Sequence, residues 1–191
     1  MPAKLTAEHT EVFLNHLQTQ IAVVGGATCD RETGDISYEV GRRLAQNGVA
    51  LLCGGRGGVM ERASAGARAN GGVVVGILPG ANALESKPNP HLTVAIFTGM
   101  GQARNQILVL SSASVIAIDG GWGTLSEVAL ALKHRIPVVR LGGWGLGRST
   151  DFEQFIDPLL FDADSPAAAV ETALSSAGHT RRARNGEETD G

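Results

Sequence analysis

Two glycine-rich stretches hold the residues of this chain that are best suited to binding a phosphate. The first is Gly54-Gly55-Arg56-Gly57-Gly58, and the second is Gly120-Gly121-Trp122-Gly123-Thr124. Glycine lets the backbone come close to a ligand, and the N–H groups at the start of a following helix attract an anion. Glu127 comes shortly after the second stretch. These residue types and their spacing favour a phosphorylated small molecule as the ligand.

Short apolar runs rich in Val and Ile predict the strands that position these stretches. The runs lie at 21–25, 49–53, 73–77, 93–97, 114–118 and 137–141. They do not alternate with polar residues, which is typical of parallel strands buried on both faces. Helical patterns occupy 36–47, 59–70, 102–112, 125–134 and 166–176. The alternation predicts an α/β, Rossmann-like open parallel sheet of six to seven strands with helices on both faces.

Length and composition predict one domain with short appendages. The chain has 191 residues, against about 150 for a typical domain. We expect a helical extension at 1–19, the Rossmann-like domain at 20–177 and a disordered tail at 178–191, which is charged and has no apolar period. In such a sheet the loops after the strands converge at the carboxyl edge, and both glycine stretches fall there.

Composition also excludes several classes of function. A formal net charge of −3 disfavours nucleic acid as the main ligand, so a DNA-processing role ranks last among our hypotheses. No charged start precedes an apolar signal region, and no apolar run approaches the roughly 20 residues that span a bilayer. We therefore expect a cytoplasmic protein without a membrane partner. The 2 cysteines and 5 scattered histidines form no metal-binding pattern, and we expect neither a metal nor a cofactor.

Common nucleotide and hydrolase motifs are absent from the chain. The first predicted strand ends at Gly25 and is followed by Gly26-Ala27-Thr28. This segment lacks the G-x-G-x-x-G of dinucleotide-binding proteins. No lysine follows a glycine, so the chain has no P-loop, and no G-x-S-x-G supports a serine hydrolase.

The stretch Gly120–Glu127 fits the pattern G-G-x-G-T-x-x-E in full. It resembles the signature of the LOG (Lonely Guy) cytokinin riboside 5′-monophosphate phosphoribohydrolases, a family formerly labelled lysine decarboxylases. Gly54–Met60 looks like a shortened form of the family's G-G-G-x-x-G-L-M, and Met100–Asn105 stands where the family has M-H-x-R-K. The resemblance covers roughly residues 20–141. The old label has no support here, because none of the three lysines is placed for a pyridoxal phosphate pocket.

The resemblance implies hydrolysis of the N-glycosidic bond of a purine nucleoside 5′-monophosphate, possibly N6-modified, to free base and ribose 5-phosphate. By analogy with the family motifs, Arg104 and Glu127 are the catalytic residues, and Thr124 opens the helix that receives the phosphate. The phosphate- and nucleotide-binding residues would be Gly54, Gly55, Gly57, Gly58, Gly120, Gly121, Trp122, Gly123 and Thr124. The ligand would be AMP-like, and the family leads us to expect a homodimer or a higher homo-oligomer.

The chain also departs from the family pattern. Asp119 replaces a proline, Ser126 replaces a glutamate, Asn105 replaces the lysine, and the family's histidine is missing. These changes resemble a divergent branch near the molybdenum-cofactor carrier proteins. The alternative function is therefore non-catalytic binding or carriage of a nucleotide or a molybdenum-cofactor pterin phosphate.

Each candidate residue also has a purely structural interpretation. Thr124-x-x-Glu127 is a capping box, in which Glu127 would return to the Thr124 amide. Arg104 and Arg56 are each compatible with a solvated surface arginine. Trp122 is equally suited to stacking on a base and to packing against the neighbouring loop.

Overall fold

The computed structural model describes residues 19–142 and 157–184, with side chains as far as Gly178 in the last helix. Most of the predicted N-terminal extension and the end of the predicted tail lie outside the described residues.

Seven parallel strands form one sheet, in the order β4-β3-β2-β1-β5-β6-β7. Every neighbouring pair in this order is parallel. The strands are β1 (Gln20–Gly25), β2 (Ala50–Cys53), β3 (Val74–Leu78), β4 (Val94–Phe97), β5 (Ser114–Ile118), β6 (Val138–Leu141) and β7 (Leu160–Ala163). The six predicted runs are strands, and the parallel arrangement is confirmed. The seventh strand, which we did not locate in the sequence, lies at the sheet edge and has an exposed Asp162 in its short apolar run.

Within residues 19–142 and 157–184, five helices cover the two faces of the sheet. They are α1 (Arg31–Gln46), α2 (Val59–Ala69), α3 (Arg104–Leu110), α4 (Trp122–Lys133) and α5 (Pro166–Arg184), with a 3-10 turn at Gly101–Ala103 before α3. Helices α1, α2 and α5 pack on one face, whereas α3 and α4 pack together on the other. This arrangement confirms the predicted Rossmann-like α/β fold.

Alternate residues of β1 belong to the two separate cores. Ile21 and Val23 join the cluster beneath α1, α2 and α5, while Ala22 and Val24 join the cluster beneath α3 and α4. All four side chains are 0% exposed. An apolar residue is therefore required at each of these consecutive positions, which explains the absence of polar alternation.

The start of α1 and the end of α5 differ most from the predicted helix boundaries. Helix α1 begins at Arg31, five residues before the predicted start, because the Asp30 carboxylate accepts a hydrogen bond from the Thr33 N–H at 2.8 Å and caps the helix. Helix α5 continues past Ala177 to Arg184. The beginning of the segment predicted as a disordered tail is thus helical, since the alanines before it and the arginines within it are good helix formers.

Strand β1 lies at the point where the strand order reverses. Its neighbours are β2 and β5, and the helices that follow β1 and β5 lie on opposite faces of the sheet. The chain therefore diverges at the carboxyl end of β1, which is where open α/β sheets bind their ligands. The two glycine-rich stretches follow β2 and β5, on either side of this point.

Candidate functional site

The first glycine stretch, 54–58, is the turn from β2 into α2. Gly58 has φ +65°, and a Cβ atom there would collide with the backbone of Gly26 and Ala27. The Val59 N–H also donates to the Gly26 carbonyl at 3.0 Å. The turn therefore packs directly against the chain leaving β1, and only glycine fits at its last position.

The second glycine stretch forms the turn from β5 into α4. The backbone φ angle is +46° at Asp119 and +122° at Gly120, and a Cβ atom at Gly120 would collide with the Thr124 side chain. Helix α4 begins at Trp122 with Gly121 as its N-cap, and no side chain of the described residues caps it. Because the first N–H groups of a helix have no intrahelical partner, this uncapped start can receive an anion.

The second turn differs in one respect from the sequence expectation. Thr124 is the third residue of α4 rather than its opening residue, and its side chain is buried beneath Gly120, with the residue only 3% exposed. Gly121, Trp122 and Gly123 are exposed instead. Trp122 is 87% exposed, so its ring does not pack into the described part of the chain.

Glu127 forms an ion pair with Arg104 rather than a capping box. The N-cap of α4 is Gly121, and Glu127 lies further along the helix. Its Oε1 lies 3.8 Å from Arg104 Nη1, and the two side chains are 8% and 7% exposed. The structural interpretation of Arg104 as a solvated residue is therefore wrong, as is the capping-box interpretation of Thr124-x-x-Glu127.

The Arg104 guanidinium is buried without hydrogen-bond partners for two of its nitrogens. Nε and Nη1 have no acceptor among the described residues, and 3.8 Å to the carboxylate is too long for a hydrogen bond. A Cβ atom at Gly54 would lie 2.5 Å from Nη1 and 2.6 Å from Nη2. The first turn therefore forms the wall against which this arginine rests, and buried donors of this kind normally have a protein, water or ligand partner.

Burial shifts the pKa values of both partners. Loss of water raises the pKa of Glu127 from 4.5 to about 7, and the positive charge of Arg104 partly opposes that rise. Burial also lowers the pKa of Arg104, whereas the charge of Glu127 raises it. Glu127 is therefore a carboxyl group that changes its protonation state near neutral pH, at the carboxyl edge of the sheet.

Two positions that depart from the LOG pattern contact each other across the α3–α4 interface. Asn105 Nδ2 lies 3.5 Å from Ser126 Oγ, and the Ser126 hydroxyl donates to the Gly123 carbonyl at 2.7 Å. Asn105 Oδ1 is buried and has no partner among the described residues. The two substitutions thus connect the helix that carries Arg104 to the first turn of the helix that carries Glu127.

One residue beside the first glycine turn, Asn89, was not predicted from the sequence. Asn89, in the segment joining β3 to β4, donates its backbone N–H to the Gly55 carbonyl at 2.9 Å and its side-chain Nδ2 to the Arg56 carbonyl at 3.3 Å. The sequence signal was an amide between two prolines, Pro88 and Pro90. Only the fold brings it beside the glycine turn.

A separate cavity of about 730 Å³ opens at the same edge of the sheet, beyond β5. It is lined by Thr33, Ile36, Ile118, Asp119, Leu141, Gly142, Ala163 and Asp164. None of the predicted site residues lines it. The Arg104–Glu127 pair and this cavity are therefore distinct features of the carboxyl edge.

The described part of the chain offers no ready-made metal centre. No group of three or more His, Cys, Asp or Glu side chains there is arranged to hold a metal ion. Cys29 and Cys53 are both free thiols, and Cys53 is buried, as expected for a core residue. Within the same described residues, no helix is long and apolar enough to cross a membrane.

Comparison with known proteins assigns this chain to a family. A model described as the SLOG cluster4 family matches residues 18–170. The chain belongs to the SLOG cluster4 family. The match includes both glycine turns, Arg104 and Glu127, and the LOG-related superfamily that we expected from the sequence is thereby confirmed.

One relative of this SLOG cluster4 protein is a phosphoribohydrolase. The cytokinin riboside 5′-monophosphate phosphoribohydrolase of Mycobacterium tuberculosis is 30% identical over 118 residues, which are 58% of this chain and 63% of that enzyme. This similarity therefore spans less than two thirds of the enzyme.

Two solved structures are similar over a larger share of their length. The molybdenum cofactor binding protein of Rippkaea orientalis has a TM-score of 0.75 and 39% identity, covering 84% of this chain and 98% of that one. The molybdenum cofactor carrier protein of Chlamydomonas reinhardtii has a TM-score of 0.76 and 34% identity, covering 85% of this chain and 99% of that one.

Proposed function

We propose that this protein is a phosphoribohydrolase that cleaves the N-glycosidic bond of a purine nucleoside 5′-monophosphate. Water adds to C1′ of the ribose, the bond from C1′ to the base nitrogen breaks, and its electron pair leaves with the base. One proton of the water ends on the base and the hydroxyl remains on the sugar. The products are the free base and ribose 5-phosphate.

The uncapped start of α4 is the proposed phosphate site. The first N–H groups of this helix and the partial positive charge of its dipole favour an anion. Gly121 and Gly123 leave open space, since a Cβ atom at either position would meet no atom of the described residues within 4 Å. The 5′-phosphate of AMP is small enough to approach the backbone there, and the ribose would then extend towards Glu127.

The Arg104–Glu127 pair is the proposed catalytic machinery. Breaking the glycosidic bond builds positive charge on the ribose, and a fixed carboxylate in a site of low polarity stabilises that charge. Ionised Glu127 is suited to this role. Two buried nitrogens of Arg104, Nε and Nη1, have no acceptor among the described residues, and they would hydrogen-bond the departing base or the phosphate.

One observation carries the proposal. The Glu127 carboxyl group, buried and held only 3.8 Å from an arginine with unfilled donors, is not used to cap its own helix. A structural ion pair would normally satisfy these donors. The 30% identity to a phosphoribohydrolase adds support from the sequence.

A second candidate function is carriage of a molybdenum-cofactor pterin phosphate or a nucleotide without turnover. It is favoured by the similarity to two molybdenum cofactor proteins over almost their full lengths. The same anion site would hold the phosphate of the cargo. The substitutions at Asn105 and Ser126 support carriage, because they alter the neighbours of the two catalytic residues.

Incubation with AMP, with other nucleoside monophosphates and with N6-isopentenyl-AMP separates the two functions. Release of free base, abolished in Glu127→Gln and Arg104→Ala, is the result that we expect. Binding of these ligands by calorimetry without release of base would favour carriage. Binding of none of them would contradict the nucleotide proposal.

We also propose that the chain forms a homodimer or a higher homo-oligomer. An exposed apolar surface on the side of α3 supports this, with Ile107 37% and Leu110 40% exposed one helical turn apart, and Met100 50% exposed before the helix. A cluster of large exposed apolar side chains is typical of an interaction surface.

A further inference from the structure

Asn89 is a buried amide next to the first glycine turn, and the proposed chemistry does not use it. It is 7% exposed and lies in the segment between β3 and β4, which has no helix or strand of its own. A buried asparagine must place two N–H donors and one carbonyl oxygen, so its partners show what it holds.

The Asn89 side chain has partners on three separate parts of the chain. Its Nδ2 donates to the Arg56 carbonyl at 3.3 Å and lies 3.5 Å from Ser64 Oγ on α2. Its Oδ1 accepts the His91 N–H at 3.0 Å, which keeps its own segment folded. The amide therefore links the middle of the first glycine turn to the helix that follows the turn.

Other contacts fix the start of the same turn. The Asn89 backbone N–H donates to the Gly55 carbonyl at 2.9 Å, and the Gly55 N–H donates to Cys53 Sγ at 3.3 Å. Gly55 has φ +72°. Because the N–H and the carbonyl of Gly55 are both hydrogen-bonded, the backbone from Cys53 to Arg56 has a defined shape. Arg56 is the only residue of the 54–58 turn that is not glycine.

The position of this turn determines the surroundings of Arg104. Gly54 lies against the guanidinium closely enough that a Cβ atom would reach Nη1. Arg56 is exposed, and its positive charge contributes to lowering the pKa of Arg104. A displacement of the turn by 1 Å would therefore move both the wall behind Arg104 and the second arginine of this edge.

We infer that Asn89 is a positioning residue of the ligand site: its side-chain amide holds the 54–58 turn in the shape that supports Arg104 and presents Arg56 to the ligand. The inference that this serves ligand binding rests on the proposed nucleotide function. The hold on the turn itself does not depend on that function.

Hydrogen exchange measured by mass spectrometry tests the hold on the turn. Asn89→Asp retains the Oδ1 acceptor and the volume but removes both Nδ2 donations, and Asn89→Ala removes the amide without adding a charge. In both variants we expect the peptides covering 54–58 to exchange roughly tenfold faster, the change produced by losing about 1.4 kcal/mol of hydrogen bonding. Asn70→Ala is the matched control, because Asn70 Nδ2 also donates to a backbone carbonyl, that of Gly66 at 2.9 Å, but at the far end of α2.

Calorimetry with AMP on the same variants tests the link to the ligand. We expect weaker AMP binding in both Asn89 variants, by several-fold or more, and unchanged binding in Asn70→Ala. Unchanged exchange at 54–58, or faster exchange throughout the sheet to the same degree, would overturn the inference. So would a loosened turn with wild-type AMP affinity. If the turn loosens but the wild-type chain binds no AMP, the hold by Asn89 stands and the nucleotide proposal fails.

Discussion

At the level of single residues, the unusual feature is that the buried Glu127 carboxyl group and the buried Arg104 guanidinium do not hydrogen-bond to each other. Burying two charges costs more than their attraction returns unless the geometry is good, and 3.8 Å with two unfilled arginine donors is poor geometry. Such a pair is a weak source of stability. It is a suitable arrangement for a site in which a ligand completes the hydrogen bonds.

The pKa of Glu127 predicts the pH dependence of the proposed reaction. Because the carboxylate must be ionised to stabilise positive charge on the ribose, kcat/KM for AMP should rise as pH increases through about 7. Replacing Arg104 by Gln removes the charge that lowers this pKa, so the rise in residual activity should move to higher pH. A rise centred near 6, where a phosphate monoester itself titrates, would contradict the assignment to Glu127.

The same pKa predicts how stability depends on pH. Between 4.5 and about 7 the folded chain keeps a proton on Glu127 that the unfolded chain has released, so raising the pH favours unfolding. The ionisation of Glu127 alone should cost the wild-type protein on the order of 3 kcal/mol across this window. Glu127→Gln has no such ionisation, and its free energy of unfolding should lack this decline. Urea unfolding at pH 4.5 and pH 8 measures the difference, and parallel curves for the two proteins would contradict it.

At the level of secondary structure elements, the start of α4 combines a strained turn with open space. Asp119 and Gly120 take positive φ angles to direct the chain into the helix, and buried Thr124 supports Gly120 from below. Gly121 and Gly123 serve no packing purpose among the described residues. Gly123 lies inside the first turn of the helix, where glycine costs backbone entropy relative to alanine, and a ligand that approaches the backbone there would explain it.

Gly123→Ala separates the binding role of this turn from its structural role. A Cβ atom at this helical position meets no atom within 4 Å in the described part of the chain, so the variant should be more stable by roughly 0.5–1 kcal/mol. It should nevertheless bind AMP more weakly, because the methyl group occupies the proposed phosphate space.

Gly178→Ala is the control for this prediction. Gly178 lies in α5 and is equally free of neighbours, so the same gain in stability is expected without an effect on AMP binding. Thermal unfolding and calorimetry provide the two measurements. Wild-type AMP affinity in Gly123→Ala would place the phosphate elsewhere.

At the level of the whole molecule, the two faces of the sheet are covered unequally. Helices α1, α2 and α5 form a continuous layer on one face, whereas α3 has only seven residues on the other. The edge strand β4 leaves Val94 46% and Ile96 43% exposed. These side chains and those of α3 lie on the side of the molecule where the layer of helices is thin, which is where we expect another copy of the chain to pack.

Replacing Leu110 by Glu should weaken the proposed homo-oligomer. The charge would be buried at an apolar interface without a partner, which is costly, so sedimentation should show a lower mass at equal concentration. Leu84→Glu is the control, because Leu84 is 99% exposed in the segment between β3 and β4. A wild-type chain that sediments as a monomer, or a Leu110→Glu variant with wild-type mass, would contradict the proposal.

The sequence by itself determined the class of fold and the location of the glycine turns. Runs such as 21–25 and 114–118 are apolar at every position because both faces of each strand are covered, and this requirement is local and readable. It failed for β7, where an edge strand needs fewer apolar residues and Asp162 is exposed. The sequence pattern also predicted that α4 begins at Leu125, whereas the helix begins at Trp122. The segment Trp122-Gly123-Thr124 has a weak helical preference, and the turn before it directs the chain into the helix.

Only the tertiary structure decided what Glu127 and Arg104 do. In the sequence, Thr124-x-x-Glu127 was compatible with a capping box and Arg104 with a surface residue. The fold packs α3 against α4 and brings residues 23 positions apart to 3.8 Å, away from water, which changes both pKa values. Burial and charge pairing depend on neighbours that are distant in the chain, so no local pattern encodes them. Asn89 illustrates the same principle, because its partners at Gly55, Arg56 and Ser64 become neighbours only when β2 and β3 pair.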